Sequence, residues 1–252
     1  MTAPLLRGLK IAVIQAGYST VSPLENQAKL AYNLLMDFSL VQKIILWVVP
    51  LIFAITVHEV SHGFVANYFG DPTAKLLGRL TLNPIRHIDP IGTLLIPAAS
   101  LLLGGFLFGY AKPVPVNFGR LKNPNRDGAL VALAGPFSNL LMALAWAGIA
   151  KVALLTLDAN TLTFNALYFM ASSGIIMNIA FMILNLIPLP PLDGSRVVMS
   201  ILKGKWYRYY LSIEPYGFWI LLGLLLIGVL GRILTPAIYF FVSLITSWFG
   251  LT

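Results

Sequence analysis

Long apolar stretches, broken by short clusters of charge and proline, dominate the chain. Residues 40–69 form the first, 91–110 the second, 128–157 the third and 166–187 the fourth. The last stretch, 216–251, covers 36 positions. About 20 apolar helical residues cross a bilayer core, so this tail is too long for one crossing. Gly231, Arg232 and Pro236 place an expected turn inside it, giving a hairpin. The second stretch carries Pro97 and the pair Gly104–Gly105. Near the N-terminus, residues 3–17 are apolar but interrupted by Arg7 and Lys10, which predicts an interfacial segment. That stretch lacks the unbroken apolar core and small-residue exit of a secretory signal peptide.

Composition sharpens this picture. Charged residues make up 10% of the 252 positions and hydrophobic ones 58%, whereas soluble domains carry about 25% charged residues. The chain therefore reads as a polytopic membrane protein. It contains no cysteine, which excludes disulfides and thiolate metal sites. The net charge of +8 is spread among hydrophobic spans, a distribution that sets membrane orientation rather than binding nucleic acid.

Against this background the stretch 54-AITVHEVSHGFVA-66 stands out, because His58, Glu59 and His62 interrupt an apolar helix. A charged group at mid-helix costs at least ~2.5 kcal/mol in a membrane. Positions i and i+4 share a helix face, so both imidazoles can address one point. That is the spacing of two Zn²⁺ ligands, with the Glu59 carboxylate beside them to take a proton from an activated water. Two packing histidines beside a chance glutamate are the alternative.

A catalytic zinc site takes three protein ligands, and the chain offers six Asp and three Glu in all. Asp193 is the best candidate. It follows Pro188, Pro190 and Pro191 in 185-NLIPLPPLDG-194, where the prolines break a helix and free backbone groups that must line a buried or wet cavity. An ordinary Asp-Gly turn remains the alternative for these residues.

Taken together, 58-HEVSH-62, 135-GPFSN-139 and 185-NLIPLPPLDG-194 resemble the signature segments of the site-2 protease family of intramembrane zinc metalloproteases, in the short, compact branch without a PDZ domain. The resemblance runs from about residue 40 to 200, in the family's order. It implies that His58, His62 and Asp193 bind one Zn²⁺ per chain and that Glu59 is the general base. It also implies cleavage of peptide bonds in or near membrane-embedded helices of single-span substrates, often ones already trimmed by another protease.

Other polar groups stay open. Gly135 and Pro136 fit close helix packing and a loosened backbone. Asn139 and Asn185 are candidates for holding a substrate's extended backbone or an oxyanion. Asn178 is expected to bond a neighbouring helix. His87, in 82-LNPIRHIDPIG-92, reads either as a loop histidine at the membrane surface or as a gating or second-layer group.

Charge sets an expected topology. Segments 70–90, 111–127 and 189–215 hold three, four and four Lys/Arg, eleven of seventeen, against Lys151 alone in 151–165. The first three are therefore expected in the cytoplasm. The stretch 91–110 must then re-enter rather than cross, and the active site lies nearer the cytoplasmic side, in an integral protein of a prokaryotic plasma membrane. Arg7, Lys10 and Lys29 fall outside in this arrangement.

The expected fold is an all-α polytopic membrane protein of five to six hydrophobic segments, with a re-entrant hairpin and short β elements near the active site. Residues 1–39 form the N-terminal interfacial segment, 40–215 the catalytic membrane core and 216–252 the C-terminal transmembrane hairpin. Stretches 76–84 and 112–118 are candidate edges for holding an unwound substrate by β-augmentation. A membrane ion or metal transporter is the competing class. It predicts repeated halves, and the sequence shows none.

Overall fold

A computed structural model describes residues 38–87 and 112–251. They fall almost entirely in one compact unit, 38–87 with 113–251. The expected N-terminal interfacial segment and the re-entrant stretch 91–110 lie outside the described residues.

The first helix, α1 (Leu40–Tyr68), has 29 residues. At about 1.5 Å per residue it is longer than the ~30 Å hydrocarbon core. Ser39 starts it with a capping box: its hydroxyl accepts from the Gln42 N–H at 3.3 Å, and the Gln42 side chain accepts from the Ser39 N–H at 2.8 Å. A short turn, α2 (Thr73–Leu76), follows. The long helix α3 (Pro124–Thr156) begins with proline, whose missing N–H costs nothing in a first turn. The buried Asp127 carboxylate accepts from the Asn123 N–H at 2.8 Å and caps that end. Helix α4 (Leu162–Asn185) is capped by Thr161. The segment after it leads into α5 (Asp193–Ile201), α6 (Gly204–Leu211), α7 (Gly217–Leu226) and α8 (Val229–Trp248).

Helices α1, α3 and α4 pack against one another, and α5 packs on α3. Small residues on α3 meet larger buried ones on α4, such as Phe169, Ile175 and Ile179, and let the backbones approach closely where lipid removes the hydrophobic drive. On α3 the fully buried positions include Ala143, Ala147, Ala150 and Ala153, one helix stripe. At Gly174 of α4 an added Cβ would lie 2.6 Å from the Trp146 indole, so glycine is required for that crossing.

Five segments among the described residues are long and apolar enough to cross a membrane: Val41–Tyr68, Pro124–Thr156, Leu162–Asn185, Gly204–Leu226 and Val229–Trp248. The fold is that of an all-α polytopic membrane protein. Two expectations need correction. The break in the C-terminal stretch falls at Gly228, not at 231–236. Gly228 takes φ +73, a left-handed conformation open mainly to glycine, while Gly231, Arg232 and Pro236 sit inside α8. The short β elements are absent among the described residues. In 76–84, Gly78 (φ +64) ends α2 and Pro84–Arg86 forms a 3-10 turn. Residues 113–117 include Pro113 and Pro115, which have no N–H to give a ladder. The amides of Val114 and Asn117 go instead to side-chain carboxylates of Glu59 and Asp71.

Candidate active site

Helix α1 carries His58 and His62 one turn apart, both about nine-tenths buried. Asp193 arrives from elsewhere, as the first residue of α5. Gly194 permits that approach: an added Cβ there would meet the Leu186 and Ile187 carbonyl oxygens at 2.4 and 2.5 Å. The start of α5 therefore lies directly on the end of α4. The result is convergence. His58 Nε2 and His62 Nε2 are 3.0 Å apart, and Asp193 Oδ2 lies 3.1 Å from the first and 3.4 Å from the second. The candidate ligand atoms all fall within 4.8 Å of one another.

Helix α3 forms the back of the site. His62 Nδ1 is 2.7 Å from the Val131 carbonyl oxygen. A carbonyl only accepts, so this nitrogen carries the hydrogen and leaves Nε2 as a bare lone pair. His58 Nδ1 is 2.6 Å from Asn139 Oδ1. Asn139 is fully buried, and its Nδ2 donates to Asn178 Oδ1 at 2.9 Å and to the Ala54 carbonyl at 3.3 Å. Between these partners sits Gly135, where an added Cβ would lie 2.4 Å from His62 Nε2 and 2.5 and 2.6 Å from His58 Cε1 and Nε2. The glycine of 135-GPFSN-139 is thus clearance for the two imidazoles.

These contacts test whether a metal ion fits. Two imidazole lone pairs and a carboxylate oxygen face each other, and Asp193 Oδ2 is buried without a hydrogen-bond donor. Three buried acceptors left unpaired are costly, and a divalent cation is the partner that satisfies all of them. Two nitrogens and one oxygen form a donor set that suits Zn²⁺ and leaves a position open.

Glu59 faces a different neighbour. Its Oε2 accepts from the Val114 N–H at 2.7 Å, so the extended segment 113–117 passes directly over this carboxylate. Gly63 lets that segment close in, since an added Cβ would lie 2.8 Å from Val114 Cγ1 and 2.6 Å from Leu80 Cδ2. The far end is held by Asp71, a buried carboxylate that accepts from the Asn117 N–H at 2.6 Å, the Thr73 N–H at 3.1 Å and the Thr73 hydroxyl. Burial opposes the charge on Asp71. The Thr73 hydroxyl and the Asn117 and Thr73 amides, with Arg120 nearby, outweigh it and hold the carboxyl below the usual carboxylate range. An almost wholly apolar cleft of about 1010 Å³ runs between α1 and α3, bordered by Val60, Ser61, Ala134 and Pro136.

The structure thus gathers His58, His62 and Asp193, with Glu59 beside the two histidines on α1. Asn139 is brought in as well, against His58. Its two amide hydrogens go to Asn178 and the Ala54 carbonyl, and its oxygen accepts from His58. Asn178 bonds across helices as expected. Asn185 ends α4 and donates back to the Phe181 carbonyl at 3.1 Å. His87 is 1% exposed, with Nε2 2.9 Å from the Thr81 carbonyl and Nδ1 buried without a partner. It stands outside the metal-ligand cluster and is not a surface histidine. Nothing in the sequence pointed to Val131, which acts through its backbone. Asp71 had a weak sign, the turn signature of 70-GDPT-73.

No family model matches the chain and no solved structure matches it. Curated relatives do. The chain is 39% identical over 194 residues to "Putative zinc metalloprotease YwhC" of Bacillus subtilis, covering 75% of this chain and 84% of that one. It is 28% identical over 234 residues to "Putative zinc metalloprotease Rip2" of Mycolicibacterium smegmatis, covering 92% and 84%. For the protein of the same name in Mycobacterium tuberculosis the identity is 31% over 185 residues, covering 71% and 64%. Three converging acceptors, a neighbouring glutamate and these likenesses lead to one conclusion: the chain belongs to the site-2 protease family of zinc metalloproteases.

Proposed function

We propose that this protein is an intramembrane endopeptidase that hydrolyses peptide bonds in or near the transmembrane helices of single-span membrane proteins. The observation that carries the reading is the placement of the His58–His62–Asp193 convergence on a helix of membrane-crossing length.

His58, His62 and Asp193 would hold the ion. Zn²⁺ bound there supplies Lewis-acid activation of water and of the scissile carbonyl. Glu59 takes the proton of the attacking water and returns it to the departing amine nitrogen. The Val114 N–H fixes one carboxylate oxygen and so aims the other. Asn185 returns only one amide hydrogen to its own helix, which leaves the other to bind the substrate backbone in this reading. Substrate carbonyls are tied up in helical bonds, so the cleaved segment must unwind before attack. We place the site nearer the cytoplasmic face of a prokaryotic plasma membrane, supported by the basic residues of 70–90, 111–127 and 189–215.

The test is zinc content and cleavage of a panel of single-span substrates by purified wild type and Glu59→Gln. Zinc in both proteins with cleavage by wild type alone is the expected result. Equal cleavage by the two, or no stoichiometric metal in either, would overturn the mechanism.

A further inference from the structure

A histidine can ligate through Nε2 only if its hydrogen sits on Nδ1. For His62 the Val131 carbonyl guarantees this. For His58 the partner is an amide, which can present either oxygen or nitrogen, so something else must fix which end faces the ring. The hydrogen bonds trace that constraint back to α4. Asn178 is fully buried, and its Nδ2 donates to the Gly174 carbonyl at 2.8 Å. That carbonyl is an acceptor only, so Asn178 must turn its Oδ1 to Asn139. Asn139 must then offer Nδ2, at 2.9 Å, and its Oδ1 is left for His58 at 2.6 Å.

We infer that Asn178 is a positioning residue: through Asn139 it fixes the tautomer of His58, and so the affinity of the site for its metal. The inference rests on the reading that His58, His62 and Asp193 hold Zn²⁺. Turned end for end, the Asn139 amide would set its Oδ1 against Asn178 Oδ1 and the Ala54 carbonyl. Its NH₂ would face His58 Nδ1, drive the ring hydrogen to Nε2 and block that nitrogen as a ligand. The Ala54 contact, at 3.3 Å, is the weaker of the two restraints. Asn178 is therefore the stronger guard, although it touches neither the metal ligands nor the base.

Second-layer partners of this kind are worth about 10- to 100-fold in metal affinity. Asn178→Leu keeps the branched shape of the side chain, with two bulkier methyl groups, and removes the acceptor. Asn178→Asp keeps an acceptor for Asn139 in either protonation state and loses the donor to Gly174 when ionised. The relay predicts that N178L weakens zinc about 10-fold, while N178D stays within about threefold of wild type. A purely packing role predicts the reverse order, because aspartate buries a charge in an apolar bundle.

The experiment is chelator competition for Zn²⁺ on the metal-free full chain in detergent, with the Co²⁺ ligand-field spectrum as a second readout. Thermal unfolding of each apo protein establishes that it is folded, and Asn178→Ala replaces the leucine variant if that one is not recovered. Weak binding by N178L with near-normal binding by N178D supports the relay. Unchanged affinity in N178L, or equal losses in both variants, would overturn it. Failure of the wild type to bind zinc would instead sink the metal reading itself.

Discussion

Gly135→Ala adds one methyl group, yet the structure predicts that it damages the metal site far more than the fold. The new Cβ would lie 2.4 Å from His62 Nε2 and 2.5–2.6 Å from two atoms of His58. Ordinary contact between such atoms begins near ~3.5 Å, so about 1 Å must be found. If α3 retreats from α1 by that amount, both second-layer bonds stretch together. His62 Nδ1 to Val131 O grows from 2.7 Å, and His58 Nδ1 to Asn139 Oδ1 from 2.6 Å, each to about 3.6 Å, beyond hydrogen-bond range. If the imidazoles rotate instead, the Nε2 atoms leave their meeting point with Asp193. Either response removes at least one orienting contact, so zinc affinity should fall at least about 10-fold and by ~100-fold if both are lost. Stability should change little. Overpacking costs about 1–3 kcal/mol, and replacing a mid-helix glycine by alanine returns about 1 kcal/mol. The assay is zinc competition beside apo thermal unfolding, on wild type and G135A. Wild-type affinity in a folded G135A would refute the clearance argument, because the methyl group would then have found room without moving either ring. A loss of affinity no larger than the loss of stability would refute it too.

Gly194→Ala should also release zinc, by at least about 10-fold, since its Cβ would strike backbone carbonyls that cannot rotate away. Gly231→Ala in α8, where nothing lies within 4 Å, is the control, and should be neutral or stabilising by up to about 1 kcal/mol. Metal content after dialysis, with the unfolding midpoint of each variant, checks both. Asp71→Asn should loosen segment 113–117, because an amide nitrogen would face a backbone N–H that now meets a carboxylate; the cost is about 1–3 kcal/mol. The folded carboxyl of Asp71 lies below its ordinary value. Its contribution is thus present above the unfolded pKa of about 3.9 and is lost as pH falls through the lower folded one. Wild type should therefore lose stability on acidification more steeply than D71N, and superposable acid limbs in thermal unfolding would contradict this.

The pairing of His58 and His62, with Glu59 beside them, was legible in the sequence because one helical turn fixes their geometry; no long-range information is needed to put His58 and His62 on one face. Asp193 was legible only as a polar group beside broken backbone, and needed the family resemblance to become the favoured third candidate ligand. What was not legible depends on pairs of helices. Asn139 reads in sequence as a free amide in apolar surroundings, a fair candidate for substrate. Only the crossing of α1, α3 and α4 shows that both its amide hydrogens and its oxygen have partners within the protein. The same limit explains the misplaced C-terminal break. Gly228, Gly231 and Pro236 are all local breakers by composition, but a proline is tolerated within α8 while Gly228 alone takes a positive φ.

The geometry of α3 explains why this site needs no loop to hold its histidines. Val131, Gly135 and Asn139 are spaced by four, so they share one face of the helix. Val131 meets His62 and Asn139 meets His58, as two antiparallel neighbours require. The His positions are about 6 Å apart along α1, whereas their partners are about 12 Å apart along α3. Each ring must therefore lean outward at Nδ1 to reach its partner, and leaning outward there tips Nε2 inward. The inward atoms meet over the midpoint between the partners, which is Gly135, where a side chain would fill the gap. Spacing of four on one helix against eight on the other thus aims both lone pairs at one point. Asp193 then has to supply only the third side.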